Sequence, residues 1–409
     1  MGLAALFLIA WMMSERRRFV PWRIVLSGVL LQLVLAGALV LAPGVHHAFL
    51  VLNDMLLGLE RATQAGTAFV FGFLGGAPLP YAETAPGSSF VLAFRALPLV
   101  LVISALSALL FHWGVLPLIV RAISALLERA MGIGGAVGLS TAANIFVGMV
   151  EAPLFIRPYL VRMSRSELFM VMSCGMAGIA GTVMVIYAGM LAPVLPDAMG
   201  HILAASVISA PAAIVIAALM VPPDGPPTAG ALPTQTRGGG AMEAVTRGTL
   251  DGLALLLNIV ALLIVLVALV TLANLILTLL PAADGEPITL QRMLSVVMAP
   301  LVWLAGIPWS EAYTAGSLMG TKTILNEFIA YSDLSRLPAD ALSARSRIIM
   351  TYALCGFANF GSLGILIGGL AAMVPERRSE VVALGMRSLV SGTLATLATG
   401  AAVGIFIAR

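Results

Sequence analysis

The sequence predicts an all-α polytopic membrane protein. It should have about eight transmembrane helices, an interfacial helix and two re-entrant helical hairpins, arranged as an inverted repeat with broken helices. Three observations carry this. Of 409 residues, 60% are hydrophobic and 10% are charged, whereas a soluble domain carries about 25% charge. Apolar runs that approach or exceed the roughly 20 residues needed to cross a bilayer recur along the chain. Two apolar segments, MVMSCGMAGIAGTV (170–183) and TYALCGFANFGSLG (351–364), each hold a Cys-Gly pair followed by small residues broken by Gly. A duplicated pair of interrupted hydrophobic segments points to the substrate site of a secondary transporter.

Taken in order, spans are predicted near 2–13, 23–43, 90–112, 166–193, 199–221, 250–281, 345–373 and 380–407. The first is short. No basic residue precedes it and Arg16, Arg17 and Arg18 follow it, an order that fits a transmembrane helix rather than a cleaved signal peptide. Residues 46–70 mix apolar positions with Asp54, Glu60 and Arg61 and predict a helix lying in the membrane interface. Residues 114–131 and 288–305 are charged apolar segments that each precede a Gly-punctuated region. Those regions, about 132–160 and 306–336, are too interrupted for simple spans and predict the two hairpins. Non-helical backbone at membrane depth is tolerated only where it is buried in protein or lines a cavity.

Arg16, Arg17, Arg18 and Arg23 mark a cytoplasmic loop and place the N-terminus outside. Counting forward puts Arg157, Arg162, Arg165, Arg377, Arg378 and the Pro/Gly-rich stretch 222–240 inside. Arg336, Arg345 and Arg347 then fall outside, against the rule, as an inverted repeat requires of flanks equivalent to the first hairpin's. The chain divides into N-terminal scaffold and interfacial helices (1–89), a first repeat (90–221), a flexible linker (222–245) and a second repeat (246–409). The net charge of +3 is spread along the chain and argues against a nucleic-acid partner. His46, His47, His112 and His201 are not clustered as a metal site would be, and Cys174 and Cys355 lack metal-ligand spacing. No HExxH or GxSxG occurs and no His lies near the hairpin carboxylates, so an enzyme is not expected. A channel is disfavoured because interrupted segments imply an occluded midplane site.

The chemistry should sit in the hairpins and breaks. A carboxylate at membrane depth costs about 2.5–3.5 kcal/mol on insertion scales, so it is a functional candidate by default. Glu151 and Glu327 each follow the centre of a hairpin. Asn359 and Ser362, three apart, share one helical face or one unwound turn, and with Glu327 suit hydroxyl groups.

The strings ANIFVGMVEAPLFIRPY (143–159), GSLMGTKTILNEFIAYSDL (316–334) and YALCGFANFGSLGILIGGL (352–370) resemble the concentrative nucleoside transporter family in order and spacing, from about residue 90 onward. The resemblance implies cation-coupled nucleoside uptake in a bacterial inner (plasma) membrane, by a homotrimer whose transport domains move in an elevator manner. It implies no catalytic cofactor. By position, it puts the sugar on Glu327, Asn359 and Ser362, with Phe357 beside the ligand and Val183 as an apolar base contact. The family's base-binding Gly-Gln-Thr-Glu is here Gly148-Met149-Val150-Glu151, so two hydrogen-bonding side chains are replaced by apolar ones and base recognition should be looser or retuned. A sodium site would use Asn144, the Val147 and Ile179 carbonyls and a serine hydroxyl, but this chain has Gly178 there. Proton coupling through Glu151 or Glu327 is the rival. The loss at 149 and 150 also keeps open another ribose-containing or polar metabolite as cargo.

Overall fold

The computed structural model describes residues 2–41, 43–83, 89–195, 197–230, 240–281 and 287–407. Among these, all α and 3-10 structure is helix and no strand occurs. Helices α1 (Gly2–Met12) and α2 (Trp22–Leu41) pack on the long buried helices that end the two repeats, α12 (Ala198–Met220) and α19 (Arg378–Phe406). Helix α3 (Pro43–Phe71) covers the predicted interfacial segment. His46 and His47 lie in its first turns, where side chains fall outside the described residues.

The first repeat runs through α4 (Leu92–Arg95), α5 (Leu99–His112) and α6 (Val115–Met131) into a hairpin. That hairpin is formed by α7 (Gly135–Asn144) and the short α8 (Glu151–Leu154) and α9 (Arg157–Leu160). A broken helix follows, α10 (Arg165–Ala177) and α11 (Gly181–Leu191), and then α12. The second repeat copies this order. A long α13 (Ala241–Leu277) precedes α14 (Leu290–Leu304), which packs on the hairpin helix α15 (Trp309–Ile324), whose return arm is α16 (Glu327–Arg336). The second broken helix is α17 (Ala344–Leu354) and α18 (Phe360–Met373), and α19 closes the chain.

The local sequence explains where helices start. Ser164-Arg165-Ser166-Glu167 forms a capping box, with the Ser164 hydroxyl accepting from Glu167 N and the Glu167 carboxylate accepting from Ser164 N. Ser343 caps α17 by accepting from Ser346 N. Both broken helices carry a run of small residues, and both stop near the predicted place. The unwound stretches are 178–180 and 355–359. The expected openings lay near 178–181 and 359–362; Gly181 already begins α11, and the second break comes earlier, so that Ser362 lies within α18.

The breaks cross each other. Phe357 N donates to Gly178 O at 3.1 Å, so each break satisfies part of the other's freed backbone. Gly356 permits the approach: a Cβ there would stand 2.9 Å from Ala177 O and 3.0 Å from Met176 O. The first hairpin tip is tied to the same crossing by Gly181 N donating to Phe146 O at 3.0 Å.

Charged groups cluster at one end of the bundle. Glu15, in the loop after α1, pairs with Arg165 at 3.0 Å and Arg387 at 2.8 Å, while Arg16 reaches Asp224 at 3.7 Å. Arg377 donates to Leu160 O and Met163 O, both at 2.7 Å. Groups predicted to share the cytoplasmic side therefore meet at one end of the bundle. The Arg165 hydrogen bond, with further attraction from Arg387 and Arg16, holds the Glu15 carboxyl below its usual range. The linker is only partly a linker. Thr228 N and Oγ1 donate to Glu167 at 2.6 and 2.7 Å, and α13 begins at Ala241, inside the predicted 222–245 stretch. Residues 231–239 lie outside the described residues.

Among the described residues, six helical segments are long and apolar enough to cross a membrane: 22–41, 92–112, 165–191, 198–220, 241–277 and 375–406. Helix α13, about 55 Å long at 1.5 Å per residue, leaves much apolar surface exposed, Leu257, Ile264, Leu272 and Leu275 among it, and packs chiefly on α5. Gly356→Val should separate the crossed breaks. Overpacking of this kind costs about 1–3 kcal/mol, and thermal unfolding of the purified full chain should show a clear fall in midpoint; an unchanged midpoint would mean the crossing is not as tight as described.

Candidate functional site: a cavity where four helix ends meet

Glu327 is the first residue of α16, and Asn326 before it caps that helix by accepting from Ile329 N at 3.0 Å. This fixes Glu327 at the hairpin tip, buried to 5% exposure. Both carboxylate oxygens are engaged. Tyr187 OH donates to Oε1 at 2.7 Å and Asn359 Nδ2 donates to Oε2 at 2.9 Å. Asn359 is in turn the N-cap of α18, its Oδ1 accepting from Ser362 N at 2.7 Å. One asparagine therefore starts the second half-helix and aims the carboxylate. A carboxylate oxygen has lone pairs beyond those used by one donor, so Glu327 can still accept from a ligand.

These groups line a cavity of about 160 Å³. Its walls include all nine residues expected to bind substrate: Gly148, Met149, Val150, Glu151, Val183, Glu327, Phe357, Asn359 and Ser362. Leu255, Ile259 and Leu263 of α13 close one side, so the cavity lies between α13 and the breaks. The polar groups gather at the second hairpin and α18. The first hairpin contributes mainly apolar surface, with Glu151 as its acidic group. Gly148 turns the first tip with φ +120°, a conformation L side chains rarely adopt, and a Cβ there would meet Glu151 Oε2 at 2.7 Å.

The two hairpin carboxylates are not equivalent, contrary to the expectation of two buried acids. Glu327 is enclosed, whereas Glu151 is solvent-exposed. The reason is the helix each begins: α16 is a ten-residue helix packed on α11 and α15, while α8 is a single turn. Tyr187, Asn326 and Thr182 are cavity residues that sequence reasoning missed. Tyr187 was findable, since it is the one aromatic polar residue in VMVIYAGML and lies four residues, about one turn, beyond Val183. A second cavity of about 600 Å³ is lined by Glu60, Gln64, Arg95 and Arg336 and shares Ile186 and Phe328 with the first.

Of the four candidate cation residues, Asn144 and Gly178 are brought side by side. Asn144 ends α7 and its Nδ2 donates to Cys174 O at 3.0 Å, beside the first break. Its Oδ1 is buried with no partner, an arrangement suited to a small hard cation. The missing serine is accounted for by packing: a Cβ on Gly178 would stand 2.5 Å from Asn144 Nδ2, so the asparagine fills that space. Among the described residues, no His, Cys, Asp or Glu cluster could hold a metal ion.

Broken helices that cross at a mostly apolar cavity with a few placed polar groups fit a membrane transporter. Sequence families described as "Na+ dependent nucleoside transporter N-terminus", "Nucleoside recognition" and "Na+ dependent nucleoside transporter C-terminus" match residues 1–74, 93–194 and 201–404. The chain belongs to the concentrative, Na+-dependent nucleoside transporter family. It is 36% identical over 418 residues to an uncharacterized transporter of Haemophilus influenzae, covering 100% of this chain and 97% of that one. It is 35% identical over 419 residues to nucleoside permease NupC of Helicobacter pylori, covering 99% and 96%. The solved structure of CNTnw in an inward-facing substrate-bound state superposes with a TM-score of 0.89 at 35% identity, covering 99% and 97%.

Asn359→Ala should remove both the cap of α18 and one partner of Glu327. Loss of an N-cap alone costs about 1 kcal/mol. Asn359→Asp keeps a cap acceptor but sets a second carboxylate against Glu327. Thermal unfolding should rank wild type above both, and nucleoside affinity should fall in both; a variant with wild-type affinity would show that Asn359 does not orient the site.

Proposed function

We propose that this chain imports nucleosides by cation-coupled symport, with the sugar held by Glu327, Asn359 and Ser362. The carrying observation is the Glu327 carboxylate, buried and fixed on both oxygens by Tyr187 and Asn359 at the wall of the cavity. Vicinal hydroxyls are donors that such an acceptor can bind without reorganising, and charge-assisted hydrogen bonds are the strong ones. The base lies toward Met149, Val150, Glu151, Val183 and Phe357. That surface is apolar apart from Glu151, so it selects by shape and by one acceptor. A site without hydrogen-bonding partners rejects a wrong base weakly, whereas one built to hydrogen-bond its ligand rejects analogues strongly.

We infer sodium as the coupling ion, held by Asn144 Oδ1 with the Val147 and Ile179 carbonyls. The support is the unpartnered buried oxygen together with the family's sodium dependence. The ion would complete the first break and tie the first tip to α11, and so favour substrate binding. The cavity's position between α13 and the crossed breaks supports an elevator mechanism. In it the α5–α13 pair is a fixed wall and the hairpins move past it with their cargo. Family membership supports a homotrimer in a bacterial inner membrane.

Uptake of labelled uridine and adenosine into proteoliposomes tests this reading. An inward sodium gradient should drive accumulation of both, and competition should show broad tolerance of bases that narrows in the Met149→Gln, Val150→Thr double variant. Uptake that persists without sodium and collapses with a protonophore would replace sodium by protons. No uptake of any nucleoside would favour a different polar cargo.

A further inference from the structure

The second repeat carries a buried cation of its own. Lys322 lies in the last turn of α15 and is completely enclosed. Its ammonium donates to Ala353 O at 2.9 Å and to Thr396 Oγ1 at 3.1 Å. Ala353 is in the last turn of α17, where carbonyls lack helical partners and a positive charge is favoured. None of the ion pairs among the described residues includes Lys322. Glu327 begins the next arm of the same hairpin, five residues after Lys322.

The first repeat has the same construction with a neutral residue. Asn144 ends hairpin helix α7 and donates to Cys174 O, in the last turn of α10, at 3.0 Å. In both repeats a polar side chain from a hairpin helix therefore rests on the carbonyl end of a broken helix. What differs is charge and oxygen supply. In the first repeat, Asn144 Oδ1, Ser173 Oγ and Thr182 Oγ1 are buried without partners. In the second repeat, Ser391 Oγ of α19 is the one buried side-chain oxygen among the described residues without a partner, and none lies in the hairpin or the broken helix.

We propose that the Lys322 ammonium is a tethered counterpart of the coupling cation. It fills in the second repeat the place that the first keeps for an exchangeable ion, and it holds Glu327 as a charged acceptor for the sugar. Lys322 is thus a positioning residue, not a ligand of the substrate. The pseudo-symmetric core has two cation positions, one permanent and one exchangeable, and transport should therefore depend on a single added sodium. This inference rests on the reading of Asn144 and Glu327 given above.

The test uses the purified full chain and measures binding of labelled uridine against sodium. Wild type should show a sodium dependence with a Hill slope near one. Lys322→Met, which fills similar volume without charge, should weaken uridine binding about tenfold or more, and Lys322→Arg should recover part of it. Lys322→Ala leaves room for an added cation, so ethylammonium should restore binding at least threefold and propanol should not. Its sodium dependence should also steepen. Uridine affinity in Lys322→Met equal to that of wild type overturns the proposal, as does rescue by propanol equal to that by ethylammonium. Should the Met and Ala variants fail to fold, Lys322→Arg still decides: a Hill slope near one with measurable uridine binding supports the proposal, and a slope near two overturns it. Absence of uridine binding to wild type would instead reject the functional reading itself.

Discussion

The hydrogen bond from Phe357 N to Gly178 O, 3.1 Å long, joins two broken helices at their breaks, and the site depends on it. Interrupting a helix inside a bilayer frees backbone donors and acceptors that hydrocarbon cannot satisfy. Here the two interruptions satisfy each other, at a crossing so close that position 356 has no room for a side chain. The crossing sets α11 and α18 with their N-termini beside the hairpin tips. Four helix starts, those of α8, α11, α16 and α18, then border one cavity. The tie from Gly181 N to Phe146 O brings the first tip to the same place.

Around that shared frame the two halves have diverged. In the second, the polar groups at the cavity are paired: Asn326 and Asn359 cap their helices, Tyr187 and Asn359 occupy Glu327, and Lys322 supplies a fixed positive charge. The first is unsaturated: α11 starts without a side-chain cap, its hairpin tip shows Met149 and Val150 to the cavity, and several of its buried oxygens lack partners. A saturated polar half is rigid and suits the invariant part of a nucleoside, its sugar. The unsaturated half leaves the variable base to apolar contact and has oxygen to offer an ion. In the proposed reading, sugar recognition falls to one repeat, and base recognition and ion coupling to the other.

Much of the fold was legible because hydrocarbon imposes a simple rule: long apolar runs must be helices, and Gly and Pro mark where they cannot continue. The hairpins, the breaks and the span order all follow from that. The nine residues expected to meet substrate were picked out for a different reason, since their motifs resemble a known family, and all nine border one cavity. What the sequence did not reveal was pairing across it. Tyr187 reaches Glu327 across 140 positions of chain, and no local pattern announces such a contact. Nor did it distinguish Glu151 from Glu327, because exposure is decided by how long a helix follows each and what that helix packs against. The ordered start of the linker was equally hidden, since Thr228 is held by Glu167 from a different element.

The central claim is that the oriented Glu327 carboxylate recognises the sugar, and the most direct measurement compares ligands rather than variants alone. Affinities of uridine and of its 2′,3′-dideoxy analogue should be determined for wild type and for Glu327→Gln. The wild type should prefer uridine by about tenfold or more, the order expected from charge-assisted hydrogen bonds worth about 1.5–3 kcal/mol, and the variant should lose most of that preference. An equal preference in both proteins would contradict the account, because the sugar hydroxyls would then be read by something other than Glu327.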